Sequence, residues 1–271
     1  MKTRKCQFLL VFISLLFGCA GTSVNGDKTS KNSENFEIAY AAGQSYLTIR
    51  TILTEEETAE GKVSVYKFDK YFTVIDALDA ENIPVAGRRV YDESFFEITG
   101  QRNLKGEGIF QNKTVIFKPG SIPSVEGNPV DEKYTAGLRL TGFEHIFLPE
   151  NIKNDGKFHP IEMIESKKRI LKAFLTELGI VPDESAISAR ITKNENDKIM
   201  LQFSWHVSGI ILGKQGVGVE LNFEGKIAYS KKHKGITYFE LVRNADGADK
   251  SKLRLIINRD FEKIYKDKEN E

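Results

Sequence analysis

The 271-residue chain has little cysteine, little histidine and no long apolar run, and each scarcity removes a class of protein. Its two cysteines, Cys6 and Cys19, both lie near the start, so no disulfide framework can hold the body of the chain. The four histidines (His145, His159, His206 and His233) show no His-x-His, HExxH or Cys/His spacing, which leaves no metal motif. The longest apolar stretch, Phe8 to Phe17, falls short of the ~20 residues that a spanning helix needs. A net charge of +1 gives no electrostatic footprint for nucleic acid. There is no G-x-S-x-G elbow, and no S-x-x-K accompanied by its S-D-N and K-T-G partner boxes. Gly213-Lys214-Gln215-Gly216-Val217-Gly218 lacks the G-K-[ST] ending of a phosphate loop and leads into a strand-like run instead. What remains, with 40% hydrophobic and 28% charged residues, is an ordinary globular composition able to bury a core.

The first residues do carry a signal. Lys2, Arg4 and Lys5 precede the apolar run, the layout of a secretory leader with its roughly 7–15 apolar residues. The run ends in Leu16-Phe17-Gly18-Cys19, which resembles the lipobox of bacterial lipoproteins, with Phe17 bulkier than the usual occupant of its position. The resemblance implies cleavage after Gly18 and a diacylglyceryl thioether on Cys19, with palmitate-type acyl chains. It also implies an extracytoplasmic protein, and Ala20 in place of an Asp after the cysteine favours the outer membrane. A lipidated Cys19 explains the odd cysteine that leader removal leaves behind. Loss of the three leader charges takes the net charge from +1 to about −2, again without a basic patch. Residues 19–34 are small and polar without periodicity, the composition of a flexible tether.

From residue 35 onward the pattern is mainly of period two. Phe36, Ile38 and Tyr40 alternate with polar neighbours, as do Leu47, Ile49, Thr51 and Leu53, then Val63 and Val65. Tyr71 to Leu78, Phe95 to Thr99 and Ile109 to Phe117 are further strands, with a turn at Asp79 to Asn82. Ile199, Leu201, Phe203, Trp205 and Val207 share one strand face. Val217, Val219, Leu221 and Phe223 share another, continued by Ile227 and Tyr229 beyond a bend or bulge at Gly225. Lys231 to Gly235 closes a hairpin, Ile236 to Val242 returns antiparallel, and Leu253 to Ile257 adds a strand before a charged tail. One helix is expected to begin around Pro160. Ile164, Leu171, Phe174, Leu175 and Leu178 form its stripe, Glu165 pairs with Arg169, and Gly179 ends it with Ile180 and Pro182 beyond. The sum is an α+β fold, mainly antiparallel sheet with one amphipathic helix packed against it. The Pro- and Gly-rich stretch 118–130 is the place for a subdivision of residues 35–271, or a long loop within one domain.

Candidate chemistry is thin. His145 shares its phase with Phe143 and Phe147 in a strand-like segment, and His233 sits in a lysine-rich turn that suggests exposure. His159 with Glu162 makes an H-x-x-E pair, short of the three ligands zinc requires. Glu55-Glu56-Glu57 and Asp76 with Asp79 read as solvated surface. Val74 to Gly87 resembles the D-x-x-x-x-P-V-x-G turn of bacterial immunoglobulin-like and carboxypeptidase-regulatory-like modules, which implies a β-sandwich module with a structural or adhesive role. Leu148 to Leu241 resembles uncharacterised exported β-rich bacterial proteins, which bring no activity with them. No catalytic residue, metal or cofactor is expected, and Cys19 is the one assigned site. The expected role is a non-enzymatic envelope scaffold or protein-binding module, with an envelope protein as partner. The alternative is a carrier of lipid or another apolar ligand, in a pocket formed by a curved sheet under the helix.

Overall fold

A computed structural model describes residues 33–59, 61–80, 82–100, 103–131, 138–177, 180–211, 218–244 and 251–266. Asn32–Glu271 forms one compact unit with its own hydrophobic core. Its strands are β1 (Ser33–Asn35), β2 (Ser45–Thr58), β3 (Gly61–Leu78), β4 (Pro84–Thr99), β5 (Leu104–Glu107), β6 (Thr114–Phe117), β7 (Ser124–Val125), β8 (Asn128–Pro129), β9 (Asn151–Lys153), β10 (His159–Pro160), β11 (Ile180–Asn194), β12 (Lys198–Ile211), β13 (Gly218–Ser230), β14 (Gly235–Arg243) and β15 (Lys252–Asp260). A 3₁₀ turn, Glu144–Phe147, and one α-helix, α1 (Glu165–Glu177), complete the described elements. No helix among the described residues is long and apolar enough to cross a membrane.

The fold is the antiparallel, β-rich α+β type that the alternation predicts. One 13-stranded sheet runs β10-β11-β12-β13-β14-β15-β2-β3-β4-β6-β7-β8, with β5 also on β4, while β1 and β9 make a separate pair. Neighbours in chain order pair throughout most of it; the exceptions are β15, which lies between β14 and β2, and β6, which pairs with β4. The sheet is curled. Ile180 of β11 and Val65 of β3 border a single cavity, although six strand spacings would hold them roughly 30 Å apart in a flat sheet.

Side chains that pair in register share a face, so rows can be followed across the inner surface. One row runs Ile191, Leu201, Ile227, Phe239, Ile257 and then Arg50, Asp69, Ser94. The next runs Ala189, Phe203, Gly225, Leu241, Leu255, Ile52. From β11 to β15 both rows are apolar and buried. Helix α1 and the 3₁₀ turn close over this part. Leu171 and Leu175 are buried there, Phe147 sits 4.5 Å from Phe203 and 5.3 Å from Trp205, and Phe143 stacks on Phe174 at 4.2 Å. Trp205 is fully buried and gives its indole N–H to Ser185 Oγ at 2.8 Å, so no polar atom of the ring is stranded.

Several local expectations give way to this arrangement. The helix begins at Glu165 rather than near Pro160, because His159 and Pro160 pair with Ala189 and Ser188 at the edge of β11, where a missing N–H costs no ladder bond. Ile164 is therefore exposed, and Glu165 pairs with Lys168 at 2.9 Å instead of with Arg169. Leu178 and Gly179 lie outside the described residues. The segment after them is no simple stop but strand β11, whose buried alternation is Ile187, Ala189, Ile191. Register passes unshifted through Gly225, and the irregularity falls at Ala228/Tyr229. Gly225 is instead a place of close approach: a Cβ there would collide with the Phe203 ring and the Glu240 carbonyl.

In β2 the set facing inward is Tyr46, Thr48, Arg50 and Ile52, not the more apolar Leu47, Ile49, Thr51 and Leu53. The outward set is partly covered: Leu47 is level with Phe72, on which Tyr265 packs at 5.6 Å. Phe36 to Tyr40 joins no ladder, and Phe95 to Thr99 is the end of the longer β4. Ile109 lies in an exposed turn before β6. Asp79 accepts a 2.9 Å bond from the Ile83 N–H, turning the chain from β3 to β4 within the large sheet rather than in a sandwich module of its own. Residues 118–130 contribute the short hairpin β7–β8, which extends the sheet. The charged tail forms no helix as far as residue 266; Phe261 packs on Tyr46 at 5.1 Å, and the Tyr265 N–H bonds Ser45 Oγ at 2.9 Å.

Candidate functional site

The inner face changes character at the boundary between β15 and β2. Beyond it the register rows read Arg50, Asp69, Ser94, then Arg259, Thr48, Tyr71, Tyr91, then Tyr46, Thr73, Arg89. Polar side chains thus stand where the other half of the sheet puts Leu, Ile and Phe. Strand alternation explains the gathering, since residues two apart on neighbouring strands project into one volume. Opposite them runs the segment Leu138 to Phe147, with Leu138, Leu140, Ile146 and Phe147 buried as its anchors.

Two of the cations are matched. Arg50 reaches Asp69 through Nη2 at 2.7 Å and Nε at 3.1 Å, and Ser94 donates to the other Asp69 oxygen at 2.8 Å. Arg259 pairs with Glu144, whose carboxylate lies against Gly142, where any Cβ would strike it. Burial alone would raise the Glu144 pKa; the Arg259 guanidinium outweighs it and holds the carboxyl below its ordinary value. Burial pushes neighbouring His145 down to about 4, so its ring is neutral at pH 7; its Nε2 shares a hydrogen bond with Tyr40 Oη at 2.9 Å.

Arg89 is different. Only 4% exposed, it lies 4.9 Å over the Tyr71 ring and 5.6 Å over Phe117, and gives Nη2 to the Arg139 carbonyl. No carboxylate among the described residues pairs with it. Arg139 lines the same space and raises the local count to four guanidinium groups against two carboxylates, Asp69 and Glu144. Among the described residues, five buried side-chain atoms have no hydrogen-bond partner: Thr48 Oγ1, Arg89 Nε, Tyr91 Oη, Glu144 Oε2 and Arg259 Nε. All five belong to this one patch. Buried polar atoms are satisfied in the large majority of cases, so such a concentration sets this patch apart from the rest of the interior.

The patch opens on a cavity of about 110 Å³. Arg50, Tyr71, Arg89, Arg139, Glu144 and Arg259 form its polar wall, and Ile52, Phe143, Ile170, Phe174, Leu255 and Ile257 its apolar one. A second cavity, of about 190 Å³, lies further along the same two strands between Thr54, Val63, Val65, Leu221, Phe223 and Leu253. The two volumes together reach the lower end of the roughly 300–1,000 Å³ range of ligand pockets.

The chain matches no protein-family model, and no curated protein is detectably similar to it.

Of the residues singled out in the sequence, Cys19 lies outside the described residues, as do the leader, the tether as far as residue 32, and Lys214 to Val217. His145 sits in the 3₁₀ turn rather than a strand and stands beside the patch through Glu144. His159 turns to Asp155 at 2.8 Å instead of Glu162, and His206 lies between Glu220 and Asn222, each at 2.9 Å. His233 is largely covered, stacked on Phe261 at 5.4 Å. No group of three or more His, Cys, Asp or Glu side chains among the described residues could hold a metal. Glu55 and Glu56 border the second cavity from within β2.

The arginines of the patch were not singled out. A signal was available: Arg259 continues the phase of Leu253, Leu255 and Ile257, a charge set into an otherwise buried alternation. Chemically, guanidinium and phenol groups of this kind hold an anion. They do not exchange protons near neutral pH, since burial raises the pKa values of Tyr46 and Tyr91 above their ordinary value.

Proposed function

We propose that this protein is an extracytoplasmic lipoprotein, held on a membrane by lipid on Cys19, whose folded part carries a small ligand with an apolar body. The observation that carries this reading is the pair of cavities on the inner face of a curled sheet, walled by Ile52, Phe143, Phe174, Leu255, Leu221 and Phe223. A scaffold needs no internal volume, and protein interiors are otherwise close-packed. The lipobox-like Leu16-Phe17-Gly18-Cys19 supports the anchoring part. More than one acyl chain would be needed there, because a single chain binds a bilayer only marginally.

Native mass spectrometry of residues 32–271 with lipid extraction of the same sample tests the carrier. A stoichiometric copurifying amphiphile is expected; a protein that stays empty and takes up no added amphiphile would remove the reading. Replacing Cys19 by Ala should release the full chain from membranes, and a variant still in the membrane fraction would refute the anchor. The scaffold reading keeps one observation in its favour. Ile83, Leu104, Ile109, Ile116 and Ile122 are exposed around the β4–β8 end of the sheet, an apolar margin that a partner protein could cover.

A further inference from the structure

We infer that the carried molecule has an anionic head, a carboxylate or a phosphate ester, seated against Arg89, Arg139 and Arg259, with its apolar part running along β2 and β15. The inference rests on the carrier reading and names the ligand class for that site. Its first support is the charge balance. Arg50 and Arg259 each have a carboxylate, whereas Arg89 is buried with none among the described residues, and an unpaired buried charge is strongly unfavourable. An entering anion supplies the missing counter-charge, and a neutral ligand would leave it wanting.

The second support is the chemistry of the unpartnered atoms. Arg89 and Arg259, each with an unpartnered Nε donor, both line the first cavity, and a carboxylate offers about four acceptor sites. The one unpartnered acceptor, Glu144 Oε2, lies against the Gly142 backbone and belongs to a carboxylate that Arg259 already neutralises. The third is direction. Arg50, Ile52 and Thr54 follow one another on one face of β2, beside Ile257, Leu255 and Leu253 on β15. The first cavity takes Arg50, Ile52, Ile257 and Leu255; the second takes Thr54 and Leu253, with Val63, Val65, Leu221 and Phe223 on its apolar side and Glu55, Glu56 and Lys252 at its border. From Arg259 to Leu253 is roughly 20 Å of strand, the span of a medium-length acyl chain rather than of a two-carbon acid.

The test uses residues 32–271, the compact unit with its own core, titrated by calorimetry in detergent-free buffer below micelle formation. The probes are dodecanoate, dodecyl phosphate, dodecanol, dodecylamine, acetate and inorganic phosphate. One of the two long-chain anions should bind at least tenfold more tightly than dodecanol and dodecylamine. Whichever wins separates a fatty-acid type of ligand from a phosphate headgroup. Arg89→Met should lose that tenfold preference while the ligand-free melting temperature stays level or rises, since a costly buried cation has gone. Arg89→Lys should keep most of the preference, and Arg139→Gln, nearer the surface, should lose part of it. Should Arg89→Met fail to fold, the Arg139→Gln result decides: an undiminished preference overturns the inference. Dodecanol binding as tightly as dodecanoate would overturn the anionic head and leave the carrier standing. Acetate or phosphate binding as tightly as the long-chain anions would overturn the apolar track. No binding by any probe would defeat the carrier itself.

Discussion

The two halves of the curled sheet use the same backbone for opposite ends. From β11 to β15 the inner rows are Leu, Ile, Phe and Trp, closed by α1 and the 3₁₀ turn, and Trp205, Phe203, Phe239 and Ile227 keep almost no exposure. From β2 to β4 the same rows continue with arginine, tyrosine, threonine and aspartate, and the five unpartnered buried side-chain atoms among the described residues lie there or on Arg259 and Glu144, which border it. One half maximises burial, and the other tolerates charges that a filled core would exclude. A fold tends to accept such local cost where it binds or reacts. The difference therefore separates the residues that hold the molecule together from those that give it a task.

The largest expected effect belongs to the apolar half. Trp205→Ala empties a site surrounded by Phe147, Phe174 and Phe223 and should cost about 4 kcal/mol in urea unfolding. A loss below about 1 kcal/mol would show that this half is not the rigid one. Glu144→Gln, in the polar half, leaves Arg259 buried without its counter-ion and should cost about 3 kcal/mol; pairing it with Arg259→Met should restore most of that loss. If the double variant is as unstable as the single one, the buried charge is not the source of the cost.

Acid sharpens the contrast next. His145 is held at about 4 in the folded protein, below its unfolded value of about 6.5. The unfolded chain binds the extra proton, so this contribution is complete above pH 6.5 and is lost as pH falls toward 4, by about 2–3 kcal/mol. Unfolding midpoints at pH 7 and pH 4.5 should diverge less in His145→Gln than in the parent, and equal slopes would refute the assignment. The smallest effect is at the surface, where Glu165→Ala removes an exposed pair with Lys168 and should change stability by no more than about 0.5 kcal/mol.

How much of this was legible in the sequence follows the same division. β12 and β13 could be read because their buried face is strictly apolar and alternates with Gln202, Ser204 and His206. The stripe of α1 was legible for the same reason, although its start was misjudged by the strand pairing of His159 and Pro160. β11 was hidden because Pro182 looked like a helix stop and only Ile187, Ala189 and Ile191 show its inner phase. In β2 alternation misled outright. The apolar set faces outward toward Phe72 and the C-terminal segment, while the set with Arg50 faces in, and with a period of two one step in phase exchanges the faces. The patch could not be assembled from sequence because its members lie on four strands and a loop, and Arg89 reads as an ordinary surface residue beside Arg88.

The position of β15 has a consequence for the life of the chain before it is folded. Chain growth proceeds from the N-terminus, so β2 to β8 and then β11 to β14 emerge before the strand that lies between β2 and β14. Until residues 252–260 exist, the sheet is two fragments, each with an unprotected edge and neither with the pocket's Arg259–Glu144 contact. Completion of the sheet thus waits for β15, and with it the joining of the apolar half to the polar one.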